Sequence, residues 1–154
     1  MLTRIMKNKV IITLLLLVGV LALTVEAQKI PIITFEKTPC FGNCPVYKLE
    51  IYKNRKMHLS NTKYLKVGEG DFSAKLKRKE YKAILNQFQE INFLQLKDQY
   101  ITKNVSDLPT RYITLAAQGK TKTVMDYSGA PEQLTKLEDQ LQQLIDQTNW
   151  KKSN

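Results

Sequence analysis

The chain has two cysteines, Cys40 and Cys44, four apart in the run Thr38-Pro39-Cys40-Phe41-Gly42-Asn43-Cys44-Pro45-Val46-Tyr47. A pair at this spacing has three chemistries open to it: a disulfide, thiol–disulfide exchange, or a share in a metal site. Gly42 and Asn43 let the chain fold back sharply, which brings the two Cα atoms within reach of a disulfide. A structural bridge is the reading favoured by that spacing. Exchange-active pairs place the attacking sulfur at a helix N-terminus and commonly have two residues between the cysteines. Here three intervene, and Pro45 leads into a strand pattern. Structural zinc takes four ligands, more than two cysteines and the single histidine, His58, supply. His58 sits inside a strand pattern and reads as an ordinary surface or packed imidazole.

Other reactive groups are sparser. Asp107 and Asp126 are the first carboxylates to test as a pair, although at a loop and a strand end they read as turn-forming residues. Ser128-Gly129 lacks the Gly-x-Ser-x-Gly elbow of a hydrolase, and no second histidine completes a triad. Gly68 and Gly70 form only Gly-x-Gly, without the third glycine or the lysine of a phosphate cradle. No catalytic residue, cofactor or metal is expected from these patterns. A conventional hydrolase, dehydrogenase or kinase is disfavoured.

The N-terminus bears Arg4, Lys7 and Lys9, an apolar run over residues 10–23, and Val25-Glu26-Ala27 ahead of Gln28. This is the n-region, h-region and small-residue cleavage pattern of a secretory signal. The run of 14 residues is shorter than the roughly 20 of a membrane-spanning helix. The expectation is a signal peptide over residues 1–27, cleaved after Ala27; an uncleaved anchor is the alternative. The product is exported, periplasmic or secreted, and not integral to the membrane after cleavage. Export also places the cysteines in an oxidising compartment.

Residues 28–154 then form one domain of 127 residues, enough for a single core. The 24 basic and 14 acidic residues become 21 and 13 once Arg4, Lys7, Lys9 and Glu26 are removed, so the mature chain keeps a formal charge of +8. The charge is mostly lysine scattered along the chain, which is a solubility pattern. Only Arg55, Arg78 and Arg111 offer planar forks to anions. The densest cluster, Lys75-Leu76-Lys77-Arg78-Lys79, suits an anionic surface component such as lipid headgroups, lipopolysaccharide or polysaccharide. Nucleic acid is disfavoured, because no aromatic stacking series accompanies the charge.

These groups must be positioned by elements that the periodicity predicts. Alternation marks strands at residues 30–35 and 46–52, with Tyr47, Leu49 and Ile51 on one side. Lys53-Asn54-Arg55-Lys56 reads as a hairpin turn into a strand at residues 57–60, and a short strand at 72–76 follows the break at Gly68-Glu69-Gly70. Tyr81, Ile84, Leu85, Phe88 and Ile91 make the stripe of a helix over residues 78–91. Asp107-Leu108-Pro109-Thr110 is a loop; strands at 111–117 and 122–127 join through Gln118-Gly119-Lys120. Ala130-Pro131 opens a mildly glutamine-rich last helix, in which Leu134, Leu137, Leu141, Leu144 and Ile145 face a core rather than a coiled-coil seam. The expected fold is an α+β two-layer sandwich, an antiparallel sheet with two main helices on one face.

Two resemblances attach to these residues. Thr38-x-Cys40-x3-Cys44-Pro45 resembles the metal-binding run of exported copper chaperones with a thioredoxin fold, which continues into a helix and uses a distant histidine; His58 lies only fourteen residues past Cys44. More extensively, Cys40-Phe41-Gly42-Asn43-Cys44-Pro45-Val46-Tyr47, Asp107-Leu108-Pro109-Thr110, residues 122–127 and Gly129-Ala130-Pro131 resemble a family of small exported bacterial domains of unknown function with a Cys-Phe-Gly-x-Cys-Pro-x-Tyr signature. That resemblance implies an envelope or secreted α+β domain and no catalytic residue. The sequence departs from it at Asn54-Arg55, where members carry Asp-Gly.

The leading functional reading is a non-catalytic binding module of the bacterial envelope with a Cys40–Cys44 disulfide. Its candidate interaction residues are Phe41, Asp107, Arg111 and Asp126, and its partner is an envelope protein or an anionic surface component. The alternative is an exported thiol oxidoreductase or copper-handling protein using Cys40 and Cys44. An inhibitor of a secreted enzyme is compatible with the size alone.

Overall fold

The computed structural model describes residues 30–153. The signal-peptide expectation for residues 1–27 lies outside them. Pro31–Asn154 form one compact unit, an α+β fold of eight strands and two helices. The strands are β1 (Ile33–Lys37), β2 (Val46–Ile51), β3 (Lys56–Lys63), β4 (Gly70–Lys75), β5 (Gln99–Tyr100), β6 (Arg111–Ala117), β7 (Lys120–Asp126) and β8 (Lys151–Lys152). The helices are α1 (Arg78–Glu90) and α2 (Glu132–Gln147). All strands join one sheet in the order β5-β7-β6-β1-β2-β3-β4-β8.

One sheet face is apolar because directly opposed residues share a face. Ile33 stands between Ile51 and Leu115, and Phe35 between Leu49 and Ile113, all buried. Leu59, opposite both Leu49 and Phe72, extends that face toward β4. Ile84 and Phe88 of α1 and Leu134, Leu137, Leu141 and Ile145 of α2 belong to the same core cluster. The leucine stripe of α2 is thus core packing. The opposite face, with Lys48, Glu50, His58 and Thr114 among its residues, is polar and at least partly exposed.

Local chemistry sets the element boundaries. The Glu80 carboxylate accepts from the Lys77 backbone N–H at 3.1 Å and satisfies a donor at the start of α1. Just past its end, Asn92 takes left-handed backbone angles, a common helix stop. The β6–β7 turn places Gln118 and Gly119 both at positive φ, as a two-residue I′ hairpin requires. In the β2–β3 turn, Arg55 sits at φ 68°, the position where the resemblance carries glycine.

The sheet departs from the expected all-antiparallel arrangement in one place. β5 pairs with β7 in parallel, Gln99 opposite Met125 and Tyr100 opposite Asp126. Neither β5 nor β8 was expected, because two residues carry no periodicity. β1 begins at Ile33 rather than Ile30, and β3 runs on to Lys63.

Candidate functional site

The strand pairings bring five polar side chains into one row across the apolar side of the sheet. Asp126 of β7 stands opposite Arg111 of β6, Arg111 opposite Lys37 of β1, Lys37 opposite Tyr47 of β2, and Tyr47 opposite Asn61 of β3. This row closes the apolar face at one end. Along α2, Glu138, Gln142 and Asp146 recur every four residues, so they share one flank of the helix. Arg111 reaches Asp126 at 2.6 Å and Glu138 at 3.2 Å, and the Tyr47 hydroxyl donates to Gln142 Oε1.

The electrostatics of this layer are set by two buried carboxyls beside one partly buried guanidinium. Asp126 and Glu138 are both only 2% exposed, yet they share a single guanidinium. Among the described residues, Asp126 Oδ1, both Glu138 carboxyl oxygens, Arg111 Nε and Asn61 Oδ1 are buried without a hydrogen-bond partner. A proton on Glu138 directed at Asp126 would supply a donor to this pair. Burial, reinforced by Asp126, pushes Glu138 up to about 8 against the pull of Arg111. Burial, with the Asp146 charge adding to it, holds the Tyr47 phenol well above the usual tyrosine range, so it stays a neutral donor. Burial and the adjacent Arg111 hold Lys37 below the usual lysine range.

The loops leaving this end of the sheet carry the exposed apolar residues. β1, β3, β5 and β7 finish here, and β2, β4 and β6 begin here. The connections are residues 38–45, 64–69, 101–110 and 127–131. Of the six exposed large apolar side chains among the described residues, Phe41, Tyr64, Ile101, Val105 and Leu108 lie on these loops. Phe41 is 90% exposed. Three of these loops, 38–45, 101–110 and 127–131, are tied together: Thr38 N–H donates to Thr110 C=O at 3.0 Å, and Thr110 N–H to Thr38 Oγ1 at 3.0 Å. Thr102 N–H donates to Ser128 Oγ at 3.0 Å.

The loop at 38–45 contains the disulfide-distance pair Cys40–Cys44, with Cα atoms 5.7 Å apart. Gly42 N–H donates to Cys40 C=O at 2.9 Å, tightening the bend that presents Phe41. Because the pair spans a strand-to-strand loop, no helix N-terminus follows either cysteine to lower a thiol pKa. On the chain-entropy estimate for so short a loop, replacing both cysteines with serine is expected to lower stability by about 2 kcal/mol. A fall in the urea midpoint with unchanged slope would show it, whereas an unchanged midpoint would mean that the bond constrains nothing.

The candidate residues distribute unevenly. Phe41, Asp107, Arg111 and Asp126 all belong to this end of the domain, but only Arg111 and Asp126 bond to one another. Asp107 lies exposed on its loop at φ 66°, accepting from Ser106 Oγ at 3.1 Å. It does not pair with Asp126, whose carboxyl neighbour is Glu138. Glu138 escaped the sequence reading. Its signal was an acidic residue four after Leu134 and three before Leu141, on the apolar stripe itself.

His58 lies elsewhere, on the polar face of the sheet. Its Nδ1 is 3.4 Å from Glu50 and its Nε2 is 3.3 Å from Asp71. Burial pushes Glu50 up, but bonds from Lys48, Tyr52 and His58 outweigh it and hold the carboxyl below its usual range. Among the described residues, no cluster of three His, Cys, Asp or Glu side chains is placed to hold a metal ion, and no helix is long and apolar enough to cross a membrane.

Residues 31–145 match the model of a family described as a domain of unknown function, DUF6438. No curated protein matches the chain.

Proposed function

We propose that this chain, which belongs to the DUF6438 family, is an exported, non-catalytic binding module of the bacterial envelope that engages a partner protein through the loop end of its sheet. The observation that carries this reading is the concentration of exposed apolar side chains on the loops there, with Phe41 at the tip of a disulfide-closed bend. Exposed apolar groups gathered in one place mark interaction surfaces, whereas single scattered ones need no explanation. A rigid aromatic on a constrained turn loses little entropy on binding, which suits it to be an anchor. Beneath the loops, Tyr47, Arg111, Asp126 and Glu138 form a polar layer at the strand ends. We read the whole as a two-layer sandwich with both helices covering one sheet face.

Export rests on the residues preceding Gln28 and on the cysteine pair, which belongs in an oxidising compartment. The test is affinity capture from the native envelope with residues 28–154 as bait, followed by mass spectrometry. The Phe41→Ala bait is expected to lose the specific partner while its stability stays within about 0.5 kcal/mol of the parent, as for an exposed side chain. Undiminished capture by the variant would remove Phe41 from the interface. Recovery of general chaperones alone by the parent would overturn the interaction reading.

A further inference from the structure

At the opposite end of the sheet, the start of β3, the end of β4, the first turn of α1 and the C-terminal half of α2 enclose a groove of about 980 Å³. Two compositional features that the loop-end surface does not use meet there. The first is the lysine cluster. Lys75 and Lys77 line the groove, and the fold adds Lys56 and Lys151 from distant parts of the chain, against Glu80 as the single acidic lining residue. Glu80 is engaged by the Lys77 backbone N–H at 3.1 Å and by Lys77 Nζ at 3.9 Å. Lys56 and Lys75 stand directly opposite one another across β3–β4. Among the described residues, no carboxylate lies within ion-pair distance of Lys56, Lys75 or Lys151. Like charges opposed on neighbouring strands destabilise a sheet, and a bound anion would relieve that cost.

The second feature is the glutamine enrichment of α2. Gln140, Gln143 and Gln147 recur at spacings of three and four and line the groove, with Asn149 just beyond the helix. At 100° per residue they fall on the flank of α2 away from Gln142 and Asp146, so the leucine stripe separates two polar flanks. Gln140 Oε1 is buried without a hydrogen-bond partner among the described residues.

We propose that this groove binds a segment of acidic oligosaccharide. Carboxamides donate and accept at once, which matches sugar hydroxyls, and ammonium groups meet the carboxylates of uronate units. An acidic peptide would use the lysines but has no call on a row of carboxamides. This site is separate from the loop end, so each can fail without the other.

Isothermal titration of residues 28–154 with hexagalacturonate, with maltohexaose and hexaglutamate as comparisons, tests the proposal. Hexagalacturonate is expected to bind with a Kd below about 1 mM. The affinity should fall roughly tenfold between about 50 and 300 mM salt, as surface charge is screened. Lys75→Gln with Lys77→Gln should weaken binding about tenfold or more. Gln143→Ala with Gln147→Ala should weaken hexagalacturonate and leave hexaglutamate unchanged. Circular dichroism confirms that each variant is folded, and Phe41→Ala serves as a control that keeps the wild-type affinity. Absence of hexagalacturonate binding, equal binding of maltohexaose, or equal and glutamine-independent binding of hexaglutamate would each overturn the proposal; the last would make the groove an acidic-peptide site.

Discussion

Arg111→Met is expected to destabilise the domain by about 3–5 kcal/mol at neutral pH, the usual cost of removing one partner from a buried charged network. Arg111 contacts both Asp126 and Glu138, each almost wholly buried. Removing the guanidinium leaves the Asp126–Glu138 pair with the shared proton and no cation. The loss arises from stranding buried acceptors rather than from forfeiting an attractive contact, and a second variant separates these two accounts. Arg111→Met combined with Asp126→Asn and Glu138→Gln replaces the network by neutral groups that can bond to one another, and buried charges so replaced are often tolerated. The triple variant should therefore recover most of the stability. Urea unfolding of both variants decides the matter. A single variant within about 1 kcal/mol of wild type, smaller than any stranded buried charge would allow, would refute the role assigned to Arg111.

The second large effect depends on pH. In the unfolded chain Glu138 titrates near its ordinary 4.5, and in the folded domain it is pushed up to about 8 by burial and by Asp126. Below pH 4.5 both states hold the proton, and the contribution to stability is fully present. Between the two values the folded domain keeps the proton that the unfolded chain has released. Stability from this group therefore declines as pH rises, by up to about 1.4 kcal/mol per pH unit, until the folded-state value is passed. The depressed Glu50 acts in the opposite direction and lower down: its contribution is present above 4.5 and is lost in acid. Glu138→Gln holds a permanent donor where the proton sat. It should match wild type near pH 5 and exceed it at pH 8.5 by on the order of a few kcal/mol. Urea midpoints measured every half unit across that range would show the wild-type curve falling and the variant's staying level. A wild-type curve that rises toward pH 8.5 would mean that Glu138 is ionised throughout.

Both expectations concern the polar layer at the loop end of the sheet. Arg111 and Asp126 stood out in the sequence as a guanidinium and a carboxylate at strand ends. In the structure Arg111 pairs with Asp126 and reaches Glu138. Phe41 is the opposite case, an aromatic that no packing absorbs.

Features that short-range chemistry controls are legible along the chain. Alternation at Tyr47, Leu49 and Ile51 named the buried side of β2, because the pleat places every second side chain on one face. The three- and four-residue spacing of Ile84 and Phe88, and of the α2 leucines, identified two helices with apolar stripes. Gly119 marked the β6–β7 turn, and the four-residue separation of the cysteines marked a loop that could close on itself. Packing between distant segments set the strand order that puts β1 between β2 and β6, the parallel pairing of β5, and hence the row from Asp126 to Asn61. It also brought Tyr47 to Gln142, 95 positions away, and Lys56 and Lys151 to the groove beside Lys75. Strand order and register are settled by which distant surfaces bury one another best, and no local pattern encodes that choice.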